Sequence, residues 1–474
     1  MKPTSHAFAE NAHKAIHDKN LQSALSKMQT GFGAARKAAI AQLPEWDQLC
    51  DAGRAVKMHA LQYLDYYLER FEQNCVAAGG QVHWCATPEE ARETILALCR
   101  KAGAKTVTKG KSMVAEEIGL NPFLERNGIA PIATDLGEYI IQLAGQPPSH
   151  IIVPAVHLTI DQIADLFFEH HRAYGKNERL TDPQALVAEA RAILRAKYFD
   201  ADVGITGANF LIAETGTTVI ATNEGNGDLT QMLPPMHIVV SSIEKVVPTL
   251  EDAFTILRLL ARSATGQEFT CYTTFSTGPK RPSDLDGPSE FHVVLIDNGR
   301  SALLGSELAD VLRCIRCGAC LNTCPVYQAV GGHAYGWVYP GPIGAAIDPQ
   351  FIGLKEAHDL PGASSFCSAC ESVCPMKIPL PNIFRVWREQ TFESGLSPQA
   401  QRTSIALWAW LAKRPALYRR VMRAAASMLG MLGRRRGRFS SLPFAGGWTY
   451  GRDMPAPQGK TFKDMWREVE RDAS

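Results

Sequence analysis

Cys314-Ile315-Arg316-Cys317-Gly318-Ala319-Cys320-Leu321-Asn322-Thr323-Cys324-Pro325 forms a Cys-x2-Cys-x2-Cys-x3-Cys-Pro run. Three thiolates this close wrap a short backbone loop round one iron–sulfur cube. The fourth, before proline, reaches the other cube in two-cluster proteins. Thiolates are soft ligands that suit iron, and the enclosing loop leaves amides to bond the cluster sulfurs. The competing reading is structural zinc. Zinc takes four ligands in tetrahedral Cys-x2-Cys pairs and has no use for the third cysteine or the Cys-Pro step. The spacing predicts iron–sulfur clusters.

A second run, Cys367-x2-Cys370-x3-Cys374-Pro375, lacks its first cysteine: Ser364 stands there. The crossed-ligand rule gives Cys314, Cys317, Cys320 and Cys374 to one [4Fe–4S] cluster. Cys324, Cys367 and Cys370 remain for a second, one thiolate short. The open outcomes are an oxygen ligand such as Ser364, a [3Fe–4S] state, an iron free to bind something else, or a single cluster. The interval from Cys324 to Cys367 is long and predicts an inserted loop over the clusters. Within it His333 and His358 read as core or solvated histidines. Cys50, Cys75, Cys85, Cys99 and Cys271 stand singly and read as small buried hydrophobes.

Upstream, residues 5–78 carry helix formers up to Gly79-Gly80, and Met58 to Phe71 aligns Leu61, Leu64, Tyr67, Leu68 and Phe71 near one helical face. From 81 to 300, β-branched runs alternate with amphipathic stretches. Thr106 to Thr108, Ile151 to Val153, Thr217 to Ala221, His237 to Val240 and Phe291 to Ile296 read as strands. Asp161 to His171, Pro183 to Lys197 and Leu250 to Ala264 read as helices. That alternation predicts an α/β domain with a mainly parallel sheet. The division expected is an N-terminal helical arm (1–80), the α/β domain (81–300), an all-helical two-cluster module (301–385) and a basic C-terminal region (386–474), helical to about 433 and irregular beyond.

Within the α/β domain, Gly204 to Asn209, Glu214-Thr215-Gly216-Thr217 and Asn223 to Gly227 read as loops at strand ends, where glycines let amides approach an anion. Glu214 and Glu224 are the ionisable groups beside them. Lys109-Gly110-Lys111-Ser112 resembles the end of a phosphate loop, but Lys105 occupies the leading glycine position and the pattern fails. Ser112 reads as an N-cap with Glu116 and Glu117 behind it, leaving Lys109 and Lys111 as anion candidates. Asp135, Glu138, His150 and His237 are further polar candidates. No Gly-x-Gly-x-x-Gly opens a βα unit, so neither flavin nor nicotinamide is expected.

These segments together resemble the iron–sulfur subunit of bacterial lactate utilization, the lactate utilization protein B family. The matching stretches are Lys111-Ser112-Met113, Thr134 to Tyr139, Glu214 to Thr217, Asn223 to Asn226, Gly331 to Gly336, Val338 to Gly344 and both cysteine motifs. The resemblance implies a lactate-utilization (LUD) domain of the NagB/RpiA/CoA-transferase-like fold, followed by a helical ferredoxin module. It also implies that the three-cysteine second motif is a family feature. The activity implied is electron transfer in a multi-subunit complex oxidising L-lactate to pyruvate, with a cysteine-rich redox protein and a second LUD-domain protein as partners. Two other classes compete with it: a CoA-transferase-like enzyme with Glu214 as nucleophile, and a redox-sensing iron–sulfur module.

Composition bears on compartment and partners. The chain has 474 residues, 49 Lys plus Arg against 48 Asp plus Glu, and a formal charge of +1. That length suits about three domains, and 46% apolar content is ordinary for a globular chain. The first twenty residues lack the apolar core of a signal peptide, and no long apolar run occurs, so a cytoplasmic protein is expected. The near-zero charge is a cancellation. Arg402 to Phe439 holds ten cations and no acidic residue, with Trp408, Trp410, Leu411, Leu417, Val421 and Met428 among them. Such a stretch suits an acidic partner, a peripheral site at the inner face of a membrane, or the chain's own acidic body. No motif points to nucleic acid.

Overall fold

Val203-Gly204-Ile205-Thr206-Gly207 and Met236-His237-Ile238-Val239-Val240-Ser241-Ser242 are buried at every position. Strands covered on both faces belong at the centre of a parallel sheet. The computed structural model, which describes residues 2–442, 449 and 451–472, places them there. The strands are β1 (Gln81–Cys85), β2 (Thr106–Lys109), β3 (Ala130–Ala133), β4 (Val203–Gly207), β5 (Phe210–Ile212), β6 (Thr217–Thr222), β7 (Met236–Ser242), β8 (Val246–Val247), β9 (Tyr272–Ser276) and β10 (Glu290–Ile296). Six form one parallel sheet in the order β1-β10-β7-β4-β2-β3, and β8-β5-β6-β9 form a smaller mixed sheet.

Side chains alternate across the large sheet as the pleat requires. Ile238, Val240, Val294 and Ile296 pack under the helix Pro88–Lys101 with Ile95 and Leu96. Val239, Val293 and Leu295 face the other way, onto Leu64, Leu68 and Phe71. Gly204 has a local reason. A Cβ there would lie 1.8 Å from the Thr230 carbonyl oxygen, so only glycine lets the helix Asn226–Met232 approach β4.

The helices before β1 are α1 (Phe8–His17), α2 (Lys19–Ala41), α3 (Trp46–Gln62) and α4 (Leu64–Ala77). They pack against the body of the protein. One apolar core runs from Leu25, Leu49 and Cys50 through the smaller sheet and the helix Leu250–Ala264 into Leu321, Tyr327, Ile347 and Trp387. Residues Met1–Ser394 accordingly make one compact unit. Met58 to Phe71 is two helices, not one, because Tyr63 leaves helical geometry between them (φ −119°, ψ 42°).

Two further expectations are corrected. Ile151 to Val153 is a turn instead of a strand, since the amides of Ile152 and Val153 both donate to His150 Nδ1, at 3.0 and 3.1 Å. Gly204 to Gly207 is the central strand β4, not an anion loop. β1, β3, β5, β8 and β9 are strands the sequence reading passed over.

The second compact unit, Gly395–Ser474, holds the helices Gln399–Ala412 and Pro415–Gly433 and a short antiparallel pair, Arg438–Phe439 with Met454–Pro455. A further helix, Phe462–Asp472, stands where irregular chain was expected. Thr461 and Asp464 cap its first turn, a Ser/Thr-x-x-Asp/Glu signal readable in the sequence. Residues 443–448, 450, 473 and 474 of the expected 386–474 region lie outside the described ones.

A buried ion network joins the sheet to the cysteine region. Arg300 donates to both oxygens of Glu117, at 2.9 and 2.6 Å, and both side chains are fully buried. Tyr339 Oη donates to Glu117 at 2.7 Å, Arg300 Nε lies 2.8 Å from Glu244, and Arg316 lies 3.5 Å from Glu244. Removing one partner of a buried pair strands the other charge, at a cost of about 3–5 kcal/mol. Glu117→Ala is therefore expected to lose about that much stability in urea unfolding. A loss under about 1 kcal/mol, as at a surface pair, would show that the network does not join the two regions.

Candidate metal centre

The two cysteine motifs fold as one repeated turn. In Cys314-Ile315-Arg316-Cys317-Gly318, Arg316 and Gly318 adopt left-handed backbone (φ 59° and 75°). In Ser364-Ser365-Phe366-Cys367-Ser368, Phe366 and Ser368 do the same (φ 55° and 59°). The Arg316 amide donates to Cys314 Sγ at 3.4 Å, and the Phe366 amide donates to Ser364 Oγ at 3.2 Å. Ser364 thus occupies the place of Cys314, with its oxygen turned as that sulfur is turned. Left-handed geometry at three non-glycine residues is a cost borne where a loop must aim its amides inward.

The thiols sort into two groups. Cys317, Cys320 and Cys374 lie close enough to Cys314 and to one another for their charges to interact. Burial pushes Cys317 up to about 12 and Cys374 to about 11, with neighbouring thiols adding to it, and raises Cys320 well above the usual thiol range. Cys324, Cys367 and Cys370 line a separate cavity with Ser364, Ser365, Pro342 and Phe384. Burial lifts Cys370 to about 12. Cys367 is exposed and moves the other way, held below the usual thiol range by the Ala369 amide and the Ser365 hydroxyl. Among the described residues no three His, Cys, Asp or Glu side chains gather as a single-ion site. Donors of this kind, soft and set apart round two centres, fit clusters.

The corrected turn at Pro147–Val153 is the seat for this region. His150 Nε2 lies 3.2 Å from Asn322 Oδ1, Tyr327 Oη donates to the Ser149 carbonyl at 2.6 Å, and His333 Nε2 meets the Pro147 carbonyl at 2.8 Å. A Cβ on Gly318 would crowd His150 and Ile152 at 3.2 and 3.1 Å. His333 is therefore a structural bond, as expected, and His150 a neutral one, held near 3 chiefly by burial. Sequence reasoning missed three polar residues beside Cys314: Lys57, Asn209 and Lys245. They line one small cavity with Cys314 and Arg316.

The other candidates are used in holding the fold. Lys109 donates to Glu116 and Glu138, both at 2.9 Å, and is not a free anion site. Burial opposes its charge, but those carboxylates outweigh it and raise its pKa. Lys111 is taken by the Ile152 carbonyl. Ser112 and Asp135 are N-caps, accepting from the Ala115 and Glu138 amides at 3.2 and 3.0 Å. His237 bonds Thr206 Oγ1 at 2.8 Å and stays neutral, burial holding it near 3. Glu224 is raised by partial burial and by Asp135. Glu214 is exposed, and its Oε2 accepts the Leu250 amide at 3.2 Å at a helix start. Of the lone cysteines, Cys50, Cys75, Cys85 and Cys99 are buried as expected, whereas Cys271 is exposed.

Residues 68–296 match the LUD domain, 310–378 the 4Fe-4S dicluster domain, and 393–471 the C-terminal domain of lactate utilisation protein B. The class is thus an LUD-domain protein carrying an iron–sulfur module. Lactate utilization protein B of Geobacillus thermodenitrificans is 41% identical over 474 residues, covering 99% of this chain and 98% of its own. That of Bacillus subtilis is 41% identical over 473 residues with the same coverage. An Escherichia coli protein described as an uncharacterized electron transport protein, YkgF, is 39% identical over 471 residues, again at 99% and 98%. A solved DUF162 family protein from Deinococcus radiodurans overlaps 49% of this chain and 98% of its own at 17% identity. Its TM-score of 0.26 is too low to bear on the fold. The chain belongs to the lactate utilization protein B family.

The cysteine environments predict an order of reactivity in the iron-free chain. Because the Cys367 pKa is lowered, a larger share is thiolate at neutral pH, and its alkylation should persist to lower pH than that of a free thiol. Cys317, Cys320 and Cys370 should label slowly. Mass mapping after brief iodoacetamide treatment checks this, and equal labelling of Cys367 and Cys320 would contradict it.

Proposed function

We propose that this chain is the iron–sulfur electron-transfer subunit of a complex that oxidises L-lactate to pyruvate. Cys314, Cys317, Cys320 and Cys374 hold one [4Fe–4S] cluster, and Cys324, Cys367 and Cys370 hold the second. Such clusters, when bound, take up and release single electrons. The observation that carries the reading is the repeated turn. It puts two donor sets in one fold and sets Ser364 Oγ where Cys314 Sγ stands in the other. We assign Ser364 as the oxygen ligand that completes the second site, in preference to a [3Fe–4S] state.

The relatives' name supports lactate as the substrate of the whole system. The chain's own residues support relay over chemistry on lactate. Apart from Glu224, partly buried and raised by burial and Asp135, the candidate acids and bases of the LUD domain are caps, paired ions or neutral buried rings. Glu214, the nucleophile of the CoA-transferase reading, is a surface cap. Removing two electrons from lactate therefore falls to partner subunits: by resemblance, a cysteine-rich redox protein and a second LUD-domain protein.

No helix among the described residues is long and apolar enough to cross a membrane. The helices Gln399–Ala412 and Pro415–Gly433 expose Leu407, Trp408, Met428 and Met431 among the cations of 402–439. Arg423 is bound by Asp464 and Arg438 by Asp453. The remaining basic and apolar surface suits an acidic partner subunit or a peripheral membrane contact. The chain works in the cytoplasm in this reading.

Anaerobically reconstituted protein should carry about eight irons per chain, against about seven for a [3Fe–4S] second site and about four for one cluster. Adding L-lactate with the partner subunits should reduce both clusters, read by paramagnetic resonance. Clusters that stay oxidised in the assembled complex would sink the relay reading.

A further inference from the structure

Two sites so alike in backbone differ in the charge set round them. Lys57 lines the small cavity beside Cys314, with Lys245 and Arg316. Its Nζ donates to the backbone carbonyl of Glu244. Arg36 donates to the Val373 carbonyl at 2.8 Å, one residue before Cys374. Arg313 precedes Cys314 and donates to the Lys377 carbonyl at 3.2 Å, three residues past Cys374. Arg316 sits inside the first turn, over the Tyr339 ring. At the second site Arg388 reaches the carbonyls of Pro361 and Ser364, at 2.7 and 3.1 Å, from a partly exposed position.

We infer that the four-cysteine cluster has a higher reduction potential than the one completed by Ser364. The chain sets Arg36, Lys57, Arg313 and Arg316 against the first and, among the described residues, Arg388 against the second. This rests on the ligand assignment proposed above. Reduction adds a negative charge, so nearby cations stabilise the reduced form and raise the potential.

Two effects act against the cations. Asp310 pairs with Arg313 at 3.1 Å and Glu244 with Arg316 at 3.5 Å, cancelling part of the positive charge. Burial alone also disfavours an added negative charge. Arg36, however, bonds a carbonyl and not a carboxylate in this contact, so its charge stays available to the cluster, whereas Glu244 offsets part of that of Lys57. The same dry surroundings that penalise reduction also strengthen the cations' pull.

The consequence is a direction of flow. The exposed Cys367 puts one edge of the second site at the surface, and the four-cysteine cluster, at higher potential, is where the first electron settles.

The test is a potentiometric titration of the reconstituted full chain, followed by paramagnetic resonance. Ser364→Cys assigns the signals, because it alters only the second cluster. The unaltered signal should appear first on reduction. Arg36→Gln, at a partly exposed position, and Lys57→Met should each shift that potential negative and leave the other in place. A four-cysteine cluster that titrates last would overturn the inference, as would an Arg36→Gln shift equal at both clusters or absent. Half the iron and a single signal would instead remove the two-cluster reading, and this inference with it.

Discussion

The structure depends on a charge placed where charge is expensive. Arg300 has no exposed surface, and its bonds to Glu117, with Glu244 beside it, are what make its burial tolerable. Glu117 follows β2, Glu244 follows β7, Arg300 follows β10, and Arg316 and Tyr339 come from the cysteine region. Three parallel strands and the cluster-bearing loop therefore meet at one point, and none can shift without unpairing an ion. This network fixes where the cysteines stand relative to the sheet.

That arrangement changes the meaning of the LUD domain in this chain. Part of its strand-end crevice, the usual ligand site of such sheets, is built over, while a cavity of about 410 Å³ stays open beside Glu116, Ala133, Glu138 and Val338. Lys111 reaches across to Ile152, the turn at Pro147–Val153 carries the cysteine region, and the N-terminal helices share its core. In the function proposed above, the domain serves as a platform whose loops wall the cluster-bearing region.

Much of this was legible in the sequence because it depended on spacing. The cysteine runs, the central strands β7 and β10 and the helix Leu250–Ala264 each carry a local pattern strong enough to survive tertiary packing. The failures share one cause: segments whose conformation is set by a distant partner. Ile151-Ile152-Val153 has the composition of a strand, but His150 captures its amides. Gly204 to Gly207 has the composition of a loop, but its glycines answer to Thr230 and Ser112 across the sheet. Lys109 looked free because its two carboxylates come from helices later in the chain. Ser364 was identified as the odd residue by counting. Only the repeated left-handed turn gave its oxygen a direction. Lys57, on a helix far from the motifs in sequence, carried no local signal at all.

Arg316, Phe366 and Ser368 hold left-handed backbone without the licence of glycine, at a cost of about 1–3 kcal/mol each. Metal binding contributes directly to folding free energy where ligands sit on such strained loops. On the proposed ligation, the chain carries that strain before any cluster is bound, and cluster binding is what would offset it.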